Sequence, residues 1–155
     1  MFHGINLNSP LLGSGRPDPT TGNVTNIESS AYTSVHRLMI GVGPGNFVNG
    51  FFWNVNYIYM RSTNEADSPF SLPSNNFNLR VDRGPSANDF HHLVSGFISK
   101  RLKKGFGIST IVQATSALPY NITTGFDDNK DTVINDRPAG ISRNSGRGAP
   151  RWEIG

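Results

Sequence analysis

Residues 51–59 read Phe-Phe-Trp-Asn-Val-Asn-Tyr-Ile-Tyr. Phe51, Trp53, Val55, Tyr57 and Tyr59 take every second position, with Asn54 and Asn56 between them. Successive side chains of an extended chain point to opposite faces, so this order makes one greasy face and one partly polar face. A helix would mix the two sets, and the aromatic and β-branched content also favours a strand. Three other segments carry the same period. In 34–42, His36, Leu38, Ile40 and Val42 alternate with Val35, Arg37, Met39 and Gly41. In 106–115, Phe106, Ile108, Thr110, Val112 and Ala114 alternate with Gly107, Ser109, Ile111, Gln113 and Thr115. In 89–99, Phe90, Val94 and Ile98 share a face with His92 and Gly96, whereas Leu93 and Phe97 take the other, so its facing is ambiguous.

The connections are unequal. The strands near 34–42 and 47–61 are joined by Gly43-Pro44-Gly45-Asn46, and those near 89–99 and 105–116 by Lys100-Arg101-Leu102-Lys103-Lys104. Both are hairpin links. Residues 1–31, 62–88 and 117–149 are long loops, punctuated by pairs such as Arg16-Pro17, Gly84-Pro85 and Arg137-Pro138. A compact soluble domain rarely holds structureless loops above ~12–15 residues. Here long and short connections alternate, so all tight turns fall at one end of the strands and all long loops at the other. That is the arrangement of outer-membrane barrels, whose strands need ~9–11 residues to cross the bilayer.

Composition fits. Apolar residues make up 35% and charged residues only 16% of the 155, while Gly (17), Pro (10), Asn (17) and Ser (16) fill well over a third. A helical bundle needs stretches free of Gly and Pro, and a disulfide scaffold needs cysteine, of which there is none. A helical span needs ~18 consecutive apolar residues, and the longest apolar runs are triplets such as Leu38-Met39-Ile40. Sixteen aromatic residues (10 Phe, 4 Tyr, 2 Trp) argue against disorder. A net charge of +3 gives no strong attraction to nucleic acid. Met1-Phe2-His3-Gly4 has no signal-peptide pattern, and Arg151-Trp152-Glu153-Ile154-Gly155 reads like the start of a strand, so a fragment is expected.

The expected fold is all-β: an antiparallel meander of about four long strands plus the start of a fifth, an incomplete part of a transmembrane β-barrel spanning 1–155. Its outer face would be apolar, and Arg37, Asn54, Asn56 and Gln113 would face the lumen. Tyr57 and Tyr59, next to the loop 62–88, would form an interfacial girdle. The alternative is a soluble secreted β-sandwich binding calcium or carbohydrate, in which the same stripe is core.

The long loops carry further blocks. Ala117-Leu118-Pro119-Tyr120-Asn121-Ile122-Thr123-Thr124-Gly125 is followed by Asp127-Asp128-Asn129-Lys130-Asp131-Thr132, Asn135-Asp136-Arg137-Pro138-Ala139-Gly140 and Arg143-Asn144-Ser145. Upstream stand Arg16-Pro17-Asp18-Pro19, Ser68-Pro69-Phe70-Ser71-Leu72-Pro73 and Gly84-Pro85-Ser86-Ala87-Asn88-Asp89. In this order they resemble the late barrel region of Oar-like TonB-dependent receptors, from about Asn6 to Ile154. That resemblance implies a Gram-negative outer-membrane parent with a carboxypeptidase-regulatory-like domain, a plug and a barrel of about 22 strands. It also implies three partners: outer-membrane lipid, the TonB system through parts of the parent not present here, and an unknown extracellular ligand. The plug, the TonB box and the closing strand have no counterpart in these residues. Two open sheet edges would keep such a piece from folding stably alone.

Asp127, Asn129, Asp131 and Asp136 form an oxygen-rich stretch. The Asp-x-Asn-x-Asp spacing matches the first positions of a calcium loop, and Ile134 its apolar eighth. Thr132 stands where the loop needs Gly and Pro138 where it needs Glu, and Asx turns explain the same residues without metal. His91 and His92 are adjacent, so on a strand they diverge, one toward the lumen and one toward the interface. Lys100, Arg101, Lys103 and Lys104 read as a solvated turn near lipid head groups. Gly41-Val42-Gly43-Pro44-Gly45 lacks the following helix of a dinucleotide site. Asn23-Val24-Thr25 and Asn121-Ile122-Thr123 are chance sequons in a bacterial protein. With no Cys nucleophile, G-x-S-x-G elbow or H-E-x-x-H, no catalytic, cofactor or metal residue is assigned and no enzyme is expected.

Overall fold

A computed structural model describes residues 1–10 and 15–155, so residues 11–14 of the first long loop lie outside the described residues. Ten strands follow in order: β1 (His3–Asn6), β2 (Thr25–Glu28), β3 (Thr33–Val42), β4 (Phe51–Asn64), β5 (Gly84–Pro85), β6 (His92–Arg101), β7 (Gly107–Thr115), β8 (Pro119–Tyr120), β9 (Gly146–Arg147) and β10 (Arg151–Ile154). Among the described residues the only helical pieces are two 3-10 turns, at Leu79–Asp82 and Lys103–Gly105.

The chain divides into two compact units. One holds His36–Arg61, Phe90–Leu118 and Gly148–Gly155. Its substance is the sheet with strand order β10-β7-β6-β4-β3, the expected meander of four long strands and the beginning of a fifth. The register fixes the facing. Tyr57 pairs with Val94, Val94 with Ala114, and Ala114 with Trp152; likewise Trp53 pairs with Ile98 and Ile98 with Thr110. Directly opposed residues share a face. Phe51, Trp53, Val55, Tyr57 and Tyr59 therefore stand with Val94, Ile98, Ile108, Val112, Trp152 and Ile154. That settles the ambiguous segment: Val94 and Ile98 belong to the greasy face, and Leu93 and Phe97 to the other.

Both hairpins close differently from the sequence expectation. The strand expected from 47 begins at Phe51. Asn49 (φ 50°) and Gly50 (φ 72°) form a left-handed turn, over which Val48 and Phe51 exchange backbone hydrogen bonds of 2.9 Å. Two consecutive positive φ angles define the turn that matches strand twist, and Asn-Gly is its strongest sequence signal. In the second hairpin Lys100 and Arg101 remain in β6, paired with Ile108 and Gly107. The reversal is made instead by Lys104 (φ 61°) and Gly105 (φ 80°), with the Leu102 N–H donating to the Phe106 carbonyl at 2.8 Å.

The other unit holds Met1–Val35, Ser62–Asp89 and Pro119–Arg147, the three long connections. They are not structureless. β1 pairs with β2, β5 with the last residues of β4, and β8 with β9. At two to four residues each, these ladders are too short to carry a visible alternation. Few apolar side chains are buried here; Ala31 and Ala66 are. The buried set is polar: His3, Asn6, Asn8, Asn64, Asp82, Asp89, Asp131, Asp136, Arg143 and Asn144.

Candidate functional site

The sheet presents two chemically different faces. Asn54 and Asn56 share one with Ser95, Ser99, Ser109, Gln113 and Glu153, as the register requires. Arg37 joins them, since its guanidinium reaches Met60 Sδ at 3.6 Å, and Met60 has the parity of Asn54 and Asn56. All four residues expected to line a lumen therefore lie on one polar face. Gly41 is on it as well, because a Cβ there would stand 2.7 Å from Asn56 Oδ1. Toward the hairpin end this face carries Phe52, 6.0 Å from Phe97 and 5.4 Å from Phe47, with Arg101 stacked 4.0 Å over Phe47.

The opposite face is aliphatic and aromatic, and much of it is exposed: Leu38, Ile40, Val42, Val55, Val94, Ile98, Ile108, Trp152 and Ile154. A soluble protein rarely leaves so large a contiguous patch uncovered. Eight residue steps from Phe51 to Tyr59 cover ~27 Å of strand, or ~20 Å of height at a barrel tilt of ~40°, near the usual apolar band. Tyr57 and Tyr59 lie in the second half of β4, and Trp152, at the start of β10, is level with Tyr57 across the sheet. His92 joins them: Tyr57 Oη and His92 Nδ1 are 2.8 Å apart, and the Tyr59 ring is 5.6 Å from His92. Arg61 Nε donates to Tyr59 Oη at 3.1 Å. The girdle expected from two tyrosines is thus a cluster, with His92 on its face. At the other end Lys100 turns its ammonium to the Asn49 carbonyl at 3.1 Å, while Lys103 and Lys104 are exposed.

In the loop unit, charge is paired across long sequence distances. Arg143 donates through Nε to the Asp82 carbonyl (2.7 Å), through Nη1 to Asp67 (2.5 Å) and through Nη2 to the carbonyl and side chain of Asn64. Arg137 meets Asp82 at 2.6 Å and Arg147 meets Asp89 at 2.9 Å. Asp89 also accepts the Ser62 N–H at 2.7 Å. Three acids of one long connection thus meet three arginines of another. No single motif announces these pairs; the only sequence signal is that 137–147 holds three arginines and no acid, while 67–89 holds three aspartates. Burial pushes hardest on Asp67, toward the neutral form. Hydrogen bonds from the Ala87 N–H, Asn144 and Asn64, with the Arg143 charge, outweigh it and hold the carboxyl below its ordinary value.

The Asp-x-Asn-x-Asp stretch spends its oxygens on backbone. Asp127 accepts the N–H groups of Asp131 (3.0 Å) and Thr132 (2.9 Å), Asn129 Oδ1 that of Asp131 (2.9 Å), and Asp131 that of Val133 (2.8 Å). Asp136 accepts from the N–H groups of Asp128 and Asn129. The bonds to Asn129 and Asp131 are those of Asx turns, and those to Asp127 and Asp136 close the loop over four to eight residues. Burial, and after it the charges of Asp127 and Asp136, raise the Asp131 carboxyl above its ordinary range. The asparagines of both sequons act as acceptors, Asn23 for Thr132 at 2.7 Å and Asn121 for the Asn144 N–H at 3.3 Å.

Among the described residues, two cavities of this unit are outlined. One of about 160 Å³ is bordered by Asp67, Asp82, Asn135, Arg137, Arg143 and Asn144, whose charges are already paired. The other, about 50 Å³, is bordered by Ser9, Pro10, Asn75, Asn76, Phe77, Asn129 and Asp131.

A family model described as an outer membrane beta barrel domain matches residues 3–152. Comparison with curated proteins and with solved structures gives no match.

Proposed function

The chain belongs to the family of outer membrane β-barrel domains, and from that premise we propose that it is part of a TonB-dependent receptor barrel that takes up or binds an extracellular ligand. The single observation that carries this reading is the division of labour between connections. The hairpin turns are short, and the three long connections fold together into one polar unit. A structural barrel has no need to pin two long loops together with three acid–arginine pairs. A receptor does, because a ligand surface must be held in one shape before the ligand arrives.

In this reading the apolar face meets lipid, the face with Arg37, Asn54, Asn56 and Gln113 lines the lumen, and the loop unit meets the ligand outside a Gram-negative cell. The chain works by binding and passage rather than catalysis. A soluble β-sandwich would need a second large sheet over the greasy face; among the described residues the remaining sheets are the two-stranded β1–β2 and β8–β9.

The TonB step is tested with the full-length protein in detergent micelles, exposed to the immobilised periplasmic domain of TonB. Capture that depends on an N-terminal TonB box is expected. An open reading frame with no plug or TonB box, and no capture, would reject the TonB assignment while leaving the barrel intact.

A further inference from the structure

We propose that the loop-side rim of the greasy face binds the phosphate of an anionic lipid, with Arg61 and His92 as its basic groups and Tyr59 and Tyr57 bracing them. The proposal rests on the lipid-facing reading of this face and is independent of TonB coupling.

Charge is unevenly shared over the sheet unit. It holds seven Lys and Arg but a single acid, Glu153. Glu153 pairs with Gln113 and so lies on the polar face. Alternation along the registered strands puts Arg61, His92 and Lys100 on the greasy face. His36 joins them on β3, where Gly41 marks the opposite parity. Among the described residues, no Asp or Glu shares that face of the five strands.

These basic groups keep to two levels. Lys100 pairs with Phe51 at the hairpin end, whereas His92 pairs with Tyr59, and Arg61 follows Tyr59 on the same face. Ten residue steps from Phe51 to Arg61 cover ~34 Å of strand, or ~26 Å of height at a tilt of ~40°. The apolar band of such barrels is ~25 Å tall. Between the two levels the face carries Trp53, Val55, Val94 and Ile98. The basic groups therefore stand where the head groups of each leaflet begin.

The loop-side level is braced. Arg61 Nε donates to Tyr59 Oη at 3.1 Å, which holds the exposed guanidinium along the face. Tyr57 Oη lies 2.8 Å from His92 Nδ1, which fixes the exposed imidazole and leaves Nε2 pointing away from that bond. Because His92 directly opposes Tyr59, Arg61 is its diagonal neighbour at ~7–8 Å, close enough for both side chains to reach one phosphate. The guanidinium fork matches phosphate oxygens, and a protonated imidazole adds the Nε2–H.

Two chemistries on one face select the ligand. Basic groups with no carboxylate beside them select an anion. A free anion gains nothing from the aliphatic band, whereas an amphiphile lays its chains on Val94, Ile98 and Trp152 and its phosphate on the rim. All three of those side chains are exposed.

The test is native mass spectrometry of the full-length protein in neutral detergent micelles, with dioleoyl phosphatidic acid and dioleoylglycerol as probes. The two lipids differ only in the phosphate. Preferential retention of phosphatidic acid is expected, with its affinity lowered about fivefold in Arg61→Gln and largely kept in Arg61→Lys. Arg151→Gln removes the same charge on the polar face, level with Ile58, and should bind as wild type. Equal retention of the two lipids, unchanged binding in Arg61→Gln, or an equal loss in Arg151→Gln would overturn the site. Displacement of the lipid by an equimolar amount of inorganic phosphate would also overturn it, by assigning the rim to a free anion. The lipid-facing reading is tested by the assembly of variants on the two faces, and TonB coupling by capture, so each can fail without the others.

Discussion

Arg143 and Asp67 lie 76 residues apart in sequence, and their side chains meet at 2.5 Å inside a unit made of loops. The same guanidinium satisfies the Asp82 and Asn64 carbonyls, so one side chain ties the ends of the connection 62–89 to the connection 119–147. Asp67 keeps 30% of its side chain exposed and can rehydrate, so the loss on removing Arg143 falls on the buried Asp82 and Asn64 carbonyls, at ~1–3 kcal/mol. Arg143→Ala should therefore open the loop unit while the sheet remains. Limited proteolysis of the full-length protein in micelles should show new cleavage within 62–89 and 119–147. Lysine should not rescue, because a single ammonium cannot reproduce the fork. Wild-type resistance in Arg143→Ala would refute the tie.

Gly84 shows how tightly these connections pass. A Cβ there would run into the carbonyl of Arg143, a backbone atom that cannot swing aside. Gly84→Ala should cost about 1–3 kcal/mol through forced displacement. Gly45→Ala, with nothing within 4 Å of the added methyl, should be close to neutral. Thermal melts in micelles compare the two; equal melting temperatures would contradict the close approach.

What was legible in the chain follows from physics of different range. Trp53 and Asn54 declare their faces in adjacent letters, because strand alternation is local and the lipid-facing side tolerates few polar groups. The facing of Val94 against Leu93 was not local; it needed the register with Tyr57 and Ile58. Asn49-Gly50 is the stronger hairpin signal, and the nearby Gly43-Pro44-Gly45 competes with it in the sequence. The pairing of Arg143 with Asp67 was illegible in any short window. Nothing in the residues flanking Arg143 names a partner 76 positions upstream, and a core made of polar groups leaves no hydrophobic pattern to read.

Acid should act on two carboxyls of this unit with opposite sign. Asp67 is held below its ordinary 3.8 in the folded state. Its contribution is present above that value and is lost as pH falls through the lower, folded value. Asp131 is raised in the folded state, so it costs stability above its raised value, and the cost is relieved as pH falls toward 3.8. Carbon-13 titration of the labelled carboxyls reads both directions. Protease resistance of the loops should fall less steeply with acid in Asp67→Asn than in wild type. A rise of Asp67 or a fall of Asp131 from 3.8 would contradict the hydrogen bonding described.

The oxygen-rich stretch makes a prediction about metal. Asp127 already holds two backbone N–H groups, and a cation would have to displace them. Chelation with EGTA should leave the melting temperature of the loop unit unchanged. Asp127→Ala should lower it by ~0.5–1.5 kcal/mol, since the Thr132 N–H loses its acceptor while the Asp131 N–H keeps Asn129 Oδ1. A calcium-dependent rise in melting temperature, absent in Asp127→Asn, would restore the calcium loop.

The assignment of faces rests on Trp53 and Asn54, neighbours on β4 whose partners are Ile98 and Phe97. Trp53 stands on the face with Val55, Tyr57 and Trp152, and Asn54 on the face with Asn56 and Gln113. Lysine on a lipid-facing strand position costs about 2–4 kcal/mol near the bilayer midplane, whereas a lumen position keeps its water. Trp53→Lys in the full-length protein should therefore cut the heat-modifiable, folded fraction recovered from outer membranes severalfold. Asn54→Lys, one residue away and equal in added charge, should assemble normally. Because the two substitutions share secondary structure, depth and chemistry, only the direction of the side chain separates them. Failure of Asn54→Lys alone would invert the assignment of lipid and lumen faces, and equal tolerance of both would overturn the lipid-facing reading of this sheet.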